Sequence, residues 1–180
     1  MAAGRICVPI PPSMEPRVFE RLVDEHYADL YRFAYSLARN PDDACDLTQQ
    51  TFSIYAQKGD EVRDPSKCKS WLFTTLYREF LKQGARAKRQ IAMEDEELES
   101  NTVPEPSDAQ RVAERHELLD ALHSLEESHR SILSLFYLDQ CSYKEIAEII
   151  GFPIGTVMSR LSRAKDALRE KLQGTSKSKE

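Results

Sequence analysis

Apolar residues recur every three to four positions along most of the 180-residue chain, and this spacing predicts amphipathic helices. The first predicted helix runs from about residue 16 to residue 39. Its inward face is formed by Phe19, Leu22, Val23, His26, Leu30, Phe33, Ala34 and Leu37. Because the chain shows neither an internal repeat nor a strong strand pattern, we expect an all-α fold.

Two more helices are predicted in the N-terminal half. Asn40 is a favourable N-cap and Pro41 suits the first position of a helix, so a second helix is expected to run to about residue 57. A loop opens at Gly59, and a third helix starts near residues 64–66 and continues at least to about residue 82. Its inward side is predicted to carry Leu72, Phe73, Leu76, Tyr77 and Phe80.

A stretch without helical periodicity separates two predicted domains. It opens near Gly84, carries an acidic run at residues 94–97 and includes a Pro-Glu-Pro break at residues 104–106. We therefore expect five segments. They are a disordered lead-in (1–16), an N-terminal domain (17–90), a flexible acidic linker (91–110), a C-terminal domain (111–173) and a disordered tail (174–180).

Helical periodicity resumes in the C-terminal domain. A helix ending near Leu125 leads to a polar turn at residues 126–129, and another helix follows to about residue 136. Ser142 and Glu145 are spaced as a capping box, which predicts the start of a short helix that ends at Gly151. A last helix follows and runs to about residue 172.

The last two predicted helices and the turn between them have the pattern of a helix-turn-helix unit. Four polar side chains share one exposed side of the second helix: Thr156, Ser159, Arg160 and Arg163. Arginines and hydroxyls on one face can read base edges and hold phosphates in a major groove. The alternative is a plain surface helix whose arginines pair with Asp166 and Glu170. The coincidence of cap, turn and basic face favours DNA binding.

Charge is distributed unevenly although the formal net charge is −5. Residues 63–90 hold eight Lys and Arg against two Asp and Glu, and residues 153–180 hold seven against three. Residues 92–108 hold seven acids and no base. Two basic segments separated by an acidic one indicate two phosphate-binding faces.

Composition argues against several other classes of protein. No apolar run approaches the ~20 residues of a membrane helix, and residues 1–16 lack the apolar core of a secretory signal. The four cysteines and four histidines are scattered, so we expect neither disulfides nor a metal site, and no cofactor. The chain also lacks a nucleophile-base pair and a phosphate-binding glycine loop, so we do not expect an enzyme.

Three segments resemble the extracytoplasmic-function (ECF) sigma factors of RNA polymerase. Residues 40–52 (NPDDACDLTQQTF) resemble their core-polymerase-binding helix, and residues 71–74 (WLFT) resemble the start of their −10 helix. Residues 142–147 (SYKEIA) with 155–164 (GTVMSRLSRA) resemble their −35-reading unit. The segments occur in the family's order, and the resemblance covers roughly residues 17–172.

The resemblance implies a cytoplasmic, non-catalytic initiation factor that binds the β and β′ subunits of core polymerase and promoter DNA. An anti-sigma factor is implied as a regulatory partner. Implied core-binding residues are Asp43, Asp46, Gln49 and Gln50. Implied −10 residues are Lys67, Lys69, Trp71, Thr74, Thr75, Arg78 and Lys82. For the −35 element, Ser142, Tyr143, Pro153 and Gly155 join the four polar residues of the last helix.

The chain departs from the family pattern at three places. Leu76-Tyr77-Arg78 stands where the family often has Ala-Arg-Asn, so we expect an unusual −10 preference. Gln50 replaces the usual glutamate, and Gln140-Cys141 stands where a glycine is common. The main alternative function is a stand-alone helix-turn-helix regulator whose N-terminal half dimerises or senses a ligand.

Overall fold

The computed structural model describes residues 16–59, 62, 64–91 and 118–177, and within these ranges the chain is helical with no strand. The N-terminal domain consists of α1 (Pro16–Ala38), α2 (Pro41–Lys58), a 3₁₀ turn (Pro65–Lys67) and α3 (Cys68–Ile91). The C-terminal domain consists of α4 (residues 118–123), α5 (Glu127–Leu133) with a π-helical turn (Ser134–Leu138), α6 (Tyr143–Ile150) and α7 (Ile154–Lys177). The predicted all-α fold is confirmed.

The core of the N-terminal domain lies between the three long helices. Phe33 of α1 packs against Phe73 of α3 with ring centroids 5.4 Å apart, and Phe19 meets Phe52 of α2 edge to face at 6.4 Å. These rings are almost wholly buried. Since a buried side chain of this size contributes roughly 1.5–3 kcal/mol, the aromatic cluster holds the three helices at fixed angles.

The start of α2 follows the sequence prediction. The side chain of Asn40 accepts hydrogen bonds from the backbone N–H groups of Asp42 and Asp43, at 2.8 and 3.4 Å, and Pro41 is the first helical residue. A cap of this kind stabilises a helix by about 1 kcal/mol. It fixes where the polar face of α2 begins.

The third helix is longer than the sequence predicts. It continues through Gly84 to Ile91, whereas the pattern predicts that the linker opens near Gly84. A glycine inside a helix costs only about 1 kcal/mol relative to alanine, and its neighbours here are strong helix formers. The structure describes no residue from 92 to 117, so the rest of the predicted linker lies outside the described residues, as does nearly all of the predicted lead-in.

The C-terminal domain is built on a small apolar core with well-formed caps. Leu135, Ile146, Val157 and Leu161 are almost inaccessible and join α5, α6 and α7. Ser142 and Glu145 form the predicted capping box, with the Ser142 N–H donating to Glu145 Oε2 at 2.7 Å. These caps fix both ends of α6, because Gly151 closes it in the left-handed conformation (φ 81°).

Two local predictions in this domain are wrong. Residues 127–129 belong to α5 rather than to a polar turn, because the turn is already complete at residue 126. The last helix extends past its expected end near residue 172 to Lys177, and so takes in the first residues of the predicted tail. In both cases a hydrophilic sequence is compatible with an exposed helix.

The two domains pack against each other. Helix α3 lies against α6, and α1 lies against α5 and the π-helical turn. The buried side chain of Arg130 in α5 donates a hydrogen bond to the carbonyl oxygen of Leu37 in α1, at 3.3 Å. Nothing in the sequence pattern predicts this contact.

Within the described ranges, no helix has the length and apolar composition needed to cross a bilayer.

Candidate nucleic-acid and polymerase interfaces

Helices α6 and α7 form the predicted helix-turn-helix. The left-handed Gly151 reverses the chain after α6, and α7 begins three residues later at Ile154. The inward faces of the two helices meet through Ile146 and Val157, which are completely buried. This packing holds the opposite side of α7 at the surface, where a groove of DNA can reach it.

The four polar residues of α7 lie on this outer side. Ser159 and Arg163 are exposed, whereas Thr156 and Arg160 are half-buried. The guanidinium of Arg160 stacks over the ring of Phe152, with its carbon 4.0 Å from the ring centroid. Arg163 Nε donates to the carbonyl oxygen of Ser159 at 3.4 Å. Asp166, offered above as a partner for these arginines, instead pairs with Arg169 at 3.1 Å.

The other predicted −35 residues surround the start of α6 and the start of α7. Ser142, Tyr143, Pro153 and Gly155 are all exposed. The ring of Tyr143 stacks on Phe136, with centroids 5.5 Å apart. A Cβ added at Gly155 would meet nothing within 4 Å, so the protein's own packing does not require glycine there. Such an open, side-chain-free position allows a DNA backbone to approach closely.

The predicted −10 residues lie along α3 and the turn before it. Lys67, Arg78 and Lys82 are exposed, and Lys82 pairs with Glu79 one turn away at 2.5 Å. Glu79 thus neutralises the charge of Lys82 locally, whereas Arg78 is a basic side chain exposed to solvent.

The remaining −10 residues are half-buried. Trp71 meets the ring of Tyr55 edge to face at 5.4 Å and packs on the domain core. The Thr74 hydroxyl donates to the carbonyl oxygen of Ser70 at 2.7 Å, and Thr75 lies beside it on the helix. The predicted −10 residues of α3 thus follow one side of the helix, but part of the Trp71 side chain is turned toward the core.

The predicted core-binding residues form the polar side of α2. Asp43, Asp46, Gln49 and Gln50 are all exposed, while Leu47 and Phe52 on the other side are fully buried. The Gln49 amide donates to Cys45 Sγ at 3.3 Å. Within the described ranges these four side chains face outward from α2, so they are available to a partner.

Comparison with known proteins identifies the family. Residues 22–90 match the family described as Sigma-70 region 2, and residues 115–168 match Sigma-70, region 4. The chain is 31% identical over 150 residues to RNA polymerase sigma factor SigV of Bacillus subtilis, covering 83% of this chain and 88% of SigV. It is 30% identical to ECF RNA polymerase sigma factor SigL of Mycobacterium tuberculosis, covering 89% and 92%.

The chain belongs to the ECF sigma factors. As a member of this family it binds core RNA polymerase and directs it to promoters for transcription initiation. The family resemblance read from the three sequence segments is thereby confirmed.

Solved structures agree with this assignment. The sigma factor RpoE of Bartonella quintana, crystallised with the anti-sigma factor NepR, is 31% identical and superimposes with a TM-score of 0.76. The comparison covers 87% of this sigma factor and 98% of that chain. The structure of CnrH with the cytosolic domain of CnrY, at 23% identity and a TM-score of 0.64, shares the fold.

Sequence reasoning missed a set of ionisable groups between the domains of this sigma factor. Asp139 follows the π-helical turn and is only 3% exposed, and burial raises the pKa of its carboxyl to about 7 despite the nearby Arg32. Burial likewise lowers the pKa of Arg130 to about 10. Charged side chains are normally solvated, so no local signal marks these two as buried.

Proposed function

We propose that the three helices of this sigma factor divide the work of initiation: α2 binds core polymerase, α3 holds the melted −10 strand, and α7 reads the −35 element. The observation that carries the proposal is that each helix has one buried side and one exposed polar side of suitable chemistry. Because the three exposed sides lie on rigid helices, little conformational entropy is lost when they bind a partner.

For the −35 element, Arg163 and Ser159 are the principal base-reading groups. Arginine can donate two hydrogen bonds to a guanine edge, and such a pair contributes about 1–3 kcal/mol of discrimination. The Arg160 guanidinium stacks on the Phe152 ring, and this contact orients it before DNA binds. Gly155, at the open N-terminal end of α7, suits a nearby phosphate.

For the −10 element, α3 offers Arg78 and Lys67 to the unpaired strand. A guanidinium can pair with a phosphate or stack on an exposed base, which the amide common in this position of the family does less well. Trp71 lies at the edge of this face, where its packing on Tyr55 would keep the ring in place beside the end of the duplex.

Polymerase contact is assigned to Asp43, Asp46, Gln49 and Gln50. Each DNA-binding domain alone would bind weakly at cellular salt, but tethering both to one polymerase raises their effective concentration. The sigma factor itself then needs no catalytic group, and it acts in the cytoplasm together with the polymerase. An anti-sigma factor is a fitting regulator, since the Bartonella quintana relative was crystallised with one.

The deciding experiment is transcription in vitro with core polymerase and genomic DNA fragments. We expect discrete promoter-initiated transcripts only when the sigma factor and core enzyme are both present. A matched reaction contains the double variant Asp46→Arg/Gln49→Ala and should give no transcript. Tight binding of the sigma factor alone to an inverted repeat, with no dependence on polymerase, would favour the stand-alone regulator instead.

A further inference from the structure

The first two turns of α7 expose two large apolar side chains. Ile154 is 46% exposed and Met158 is 52% exposed, and they lie one turn apart on the same side of the helix. Neither packs against the apolar core in the part of the chain that the structure describes. Single apolar residues are common on protein surfaces, but these two occupy the turns of a helix-turn-helix that reach base edges. The packing of the protein itself does not account for their placement.

Met158 borders the polar side of α7 that is assigned to the −35 element. At about 100° per residue, the exposed arc of the helix holds these positions in order: Met158, Ser162, Gly155, Ser159 and Arg163. The arc lies opposite the buried residues Val157, Leu161 and Ala164. A major groove that receives Ser159 and Arg163 therefore also receives Met158.

Basic side chains lie on both sides of Met158 around the helix. Arg163 is at the far end of the exposed arc, and Lys165 lies just beyond Met158 at the near end. Lys165 Nζ is held 4.9 Å from the centroid of the Phe136 ring. An apolar side chain between basic groups suits a DNA groove, because the edges of the groove are anionic and its floor carries apolar methyl groups.

Thymine is the base that presents such a methyl group in the major groove. The hydrogen-bonding side chains of the arc, Ser159 and Arg163, read donors and acceptors and gain little from a methyl. Methionine has a flexible, polarisable side chain that adapts its shape to an apolar partner. Met158 thus supplies the chemistry that the polar residues of α7 lack.

We propose that Met158 is a specificity-determining residue of this sigma factor and reads the 5-methyl group of a thymine in the −35 element. The inference rests on the proposed role of α7 and deepens it. Arg163 and Ser159 select bases through hydrogen bonds, whereas Met158 selects thymine through apolar contact. Ile154 extends the apolar strip by one turn toward the start of the helix.

Replacement of thymine by deoxyuridine tests this contact by removing one methyl group. Uracil keeps the base pair and every hydrogen-bonding group of thymine. Holoenzyme binding is titrated on duplexes of a promoter found by transcription in vitro, with each thymine of the −35 element replaced in turn on either strand. We expect one position at which wild-type affinity falls about fourfold, the effect of exposing one buried methyl group.

The variant Met158→Ala separates the contact from changes in the DNA itself, since those act equally on every variant. It should bind the thymine duplex several-fold more weakly than wild type and no longer respond to deoxyuridine at the sensitive position. Met158→Leu keeps an apolar side chain and should restore most of the response. Val18→Ala in α1 is the matched truncation of an exposed apolar residue and should retain the full response.

The salt dependence of binding distinguishes a methyl contact from a phosphate contact. Met158→Ala removes no charge, so its loss of affinity should be the same factor at low and at high salt. A loss that shrinks as salt is added would show that Met158 acts through its charged neighbours, and would overturn the inference.

Other results would also overturn it. They are equal responses of wild type and Met158→Ala to deoxyuridine at every thymine, and a −35 element with no thymine on either strand. Weaker binding of Met158→Ala to core polymerase without DNA would show that the apolar strip faces the polymerase instead. The proposed function is judged separately, because promoter binding by Arg163→Ala at wild-type strength would contradict the role of α7 whatever Met158 does.

Discussion

Two backbone positions show how single residues shape the turns of this sigma factor. Among the described residues, Arg39 (φ 64°) and Gln140 (φ 53°) adopt the left-handed conformation without being glycine. Each follows a helical segment, a place where glycine is usual because it has no Cβ to clash with the backbone. The sequence hints at this only for Gln140, where the family commonly has glycine.

Replacing Gln140 with glycine should therefore stabilise the protein. Relief of left-handed strain is worth roughly 1–2 kcal/mol, and the added freedom of glycine in the unfolded chain offsets part of it. We expect a net gain of about 0.5–1 kcal/mol in the free energy of unfolding, measured by urea denaturation. The matched control is Gln83→Gly in α3, which should lose stability; a loss in both variants would contradict the argument.

At the scale of the helices, boundaries that carry a capping signal are predicted correctly, and boundaries that lack one are not. The Asn40 cap and the Ser142 capping box are encoded within four residues, and the sequence predicts both correctly. The continuation of α3 past Gly84 and the early start of α5 were missed, because both segments are hydrophilic and lie at the ends of periodic patterns. Of the candidate site, the exposed sides of α2 and α7 were predictable from periodicity, whereas the inward turn of Trp71 depends on Tyr55.

Helix α7 should lose −35 recognition when Arg163 is truncated. Arg163 is exposed and contacts only its own helix through Ser159, so Arg163→Ala should leave stability unchanged and weaken promoter binding by about 1–3 kcal/mol, or roughly 5- to 150-fold. Holoenzyme binding to a promoter duplex checks this. Arg169→Ala, further along the same helix, is the control, and equal losses for both variants would indicate a general charge effect.

Helix α2 should lose polymerase binding when its polar side is altered. Asp46 and Gln49 are exposed, so Asp46→Arg with Gln49→Ala should preserve the helical content while placing a repelling charge in the interface. We expect at least a ~100-fold loss of affinity for core polymerase in a pull-down titration. Asp24→Arg on the exposed side of α1 is the matched charge reversal; wild-type affinity of the α2 variant would refute the assignment.

At the scale of the whole molecule, the sequence could not reveal the polar contacts between the two domains. We call them the domain junction: Arg32, Leu37, Lys69, Arg130 and Asp139. Its hydrogen bonds join residues 70 and 93 positions apart, and they use backbone carbonyl oxygens as acceptors. Periodicity and motifs describe neighbours in sequence, so two domains with well-formed cores are expected to move independently. Only the tertiary arrangement shows that they share a buried polar contact.

The contact between the two domains should weaken as the pH rises through neutrality. The pKa of Asp139 is about 7 when the carboxyl is enclosed by Arg32, Asp29 and Lys69, and it should return toward its ordinary value when the domains separate. Packing of the domains therefore takes up a proton. From pH 6.5 to 8 the ratio of molecules with packed domains to molecules with separated domains should fall about fourfold, or roughly 0.8 kcal/mol.

Small-angle X-ray scattering can follow this change as an increase in the radius of gyration. Asp139→Asn cannot titrate and should give the same radius at both pH values. His123 also lies at the domain contact, and its titration has the opposite effect on the packing of the domains. Burial lowers the pKa of His123, so the histidine takes up a proton more readily when the domains separate, and acid favours that separation. The chosen range lies at or above its ordinary pKa, where the histidine is largely neutral. A radius that shrinks from pH 6.5 to 8 would contradict the assignment to Asp139.

The acceptors of the domain junction give it an evolutionary consequence. A main-chain oxygen is present whatever side chain a position carries, so substitutions at Leu37 and Asp139 leave both acceptors in place. The donors are Lys69 and Arg130, and Lys69 belongs to the surface assigned to the −10 strand. Selection that retains Lys69 for promoter binding therefore also retains the donor of one hydrogen bond between the domains. The side chain at position 139 can therefore change while its main-chain oxygen continues to accept the bond from Lys69.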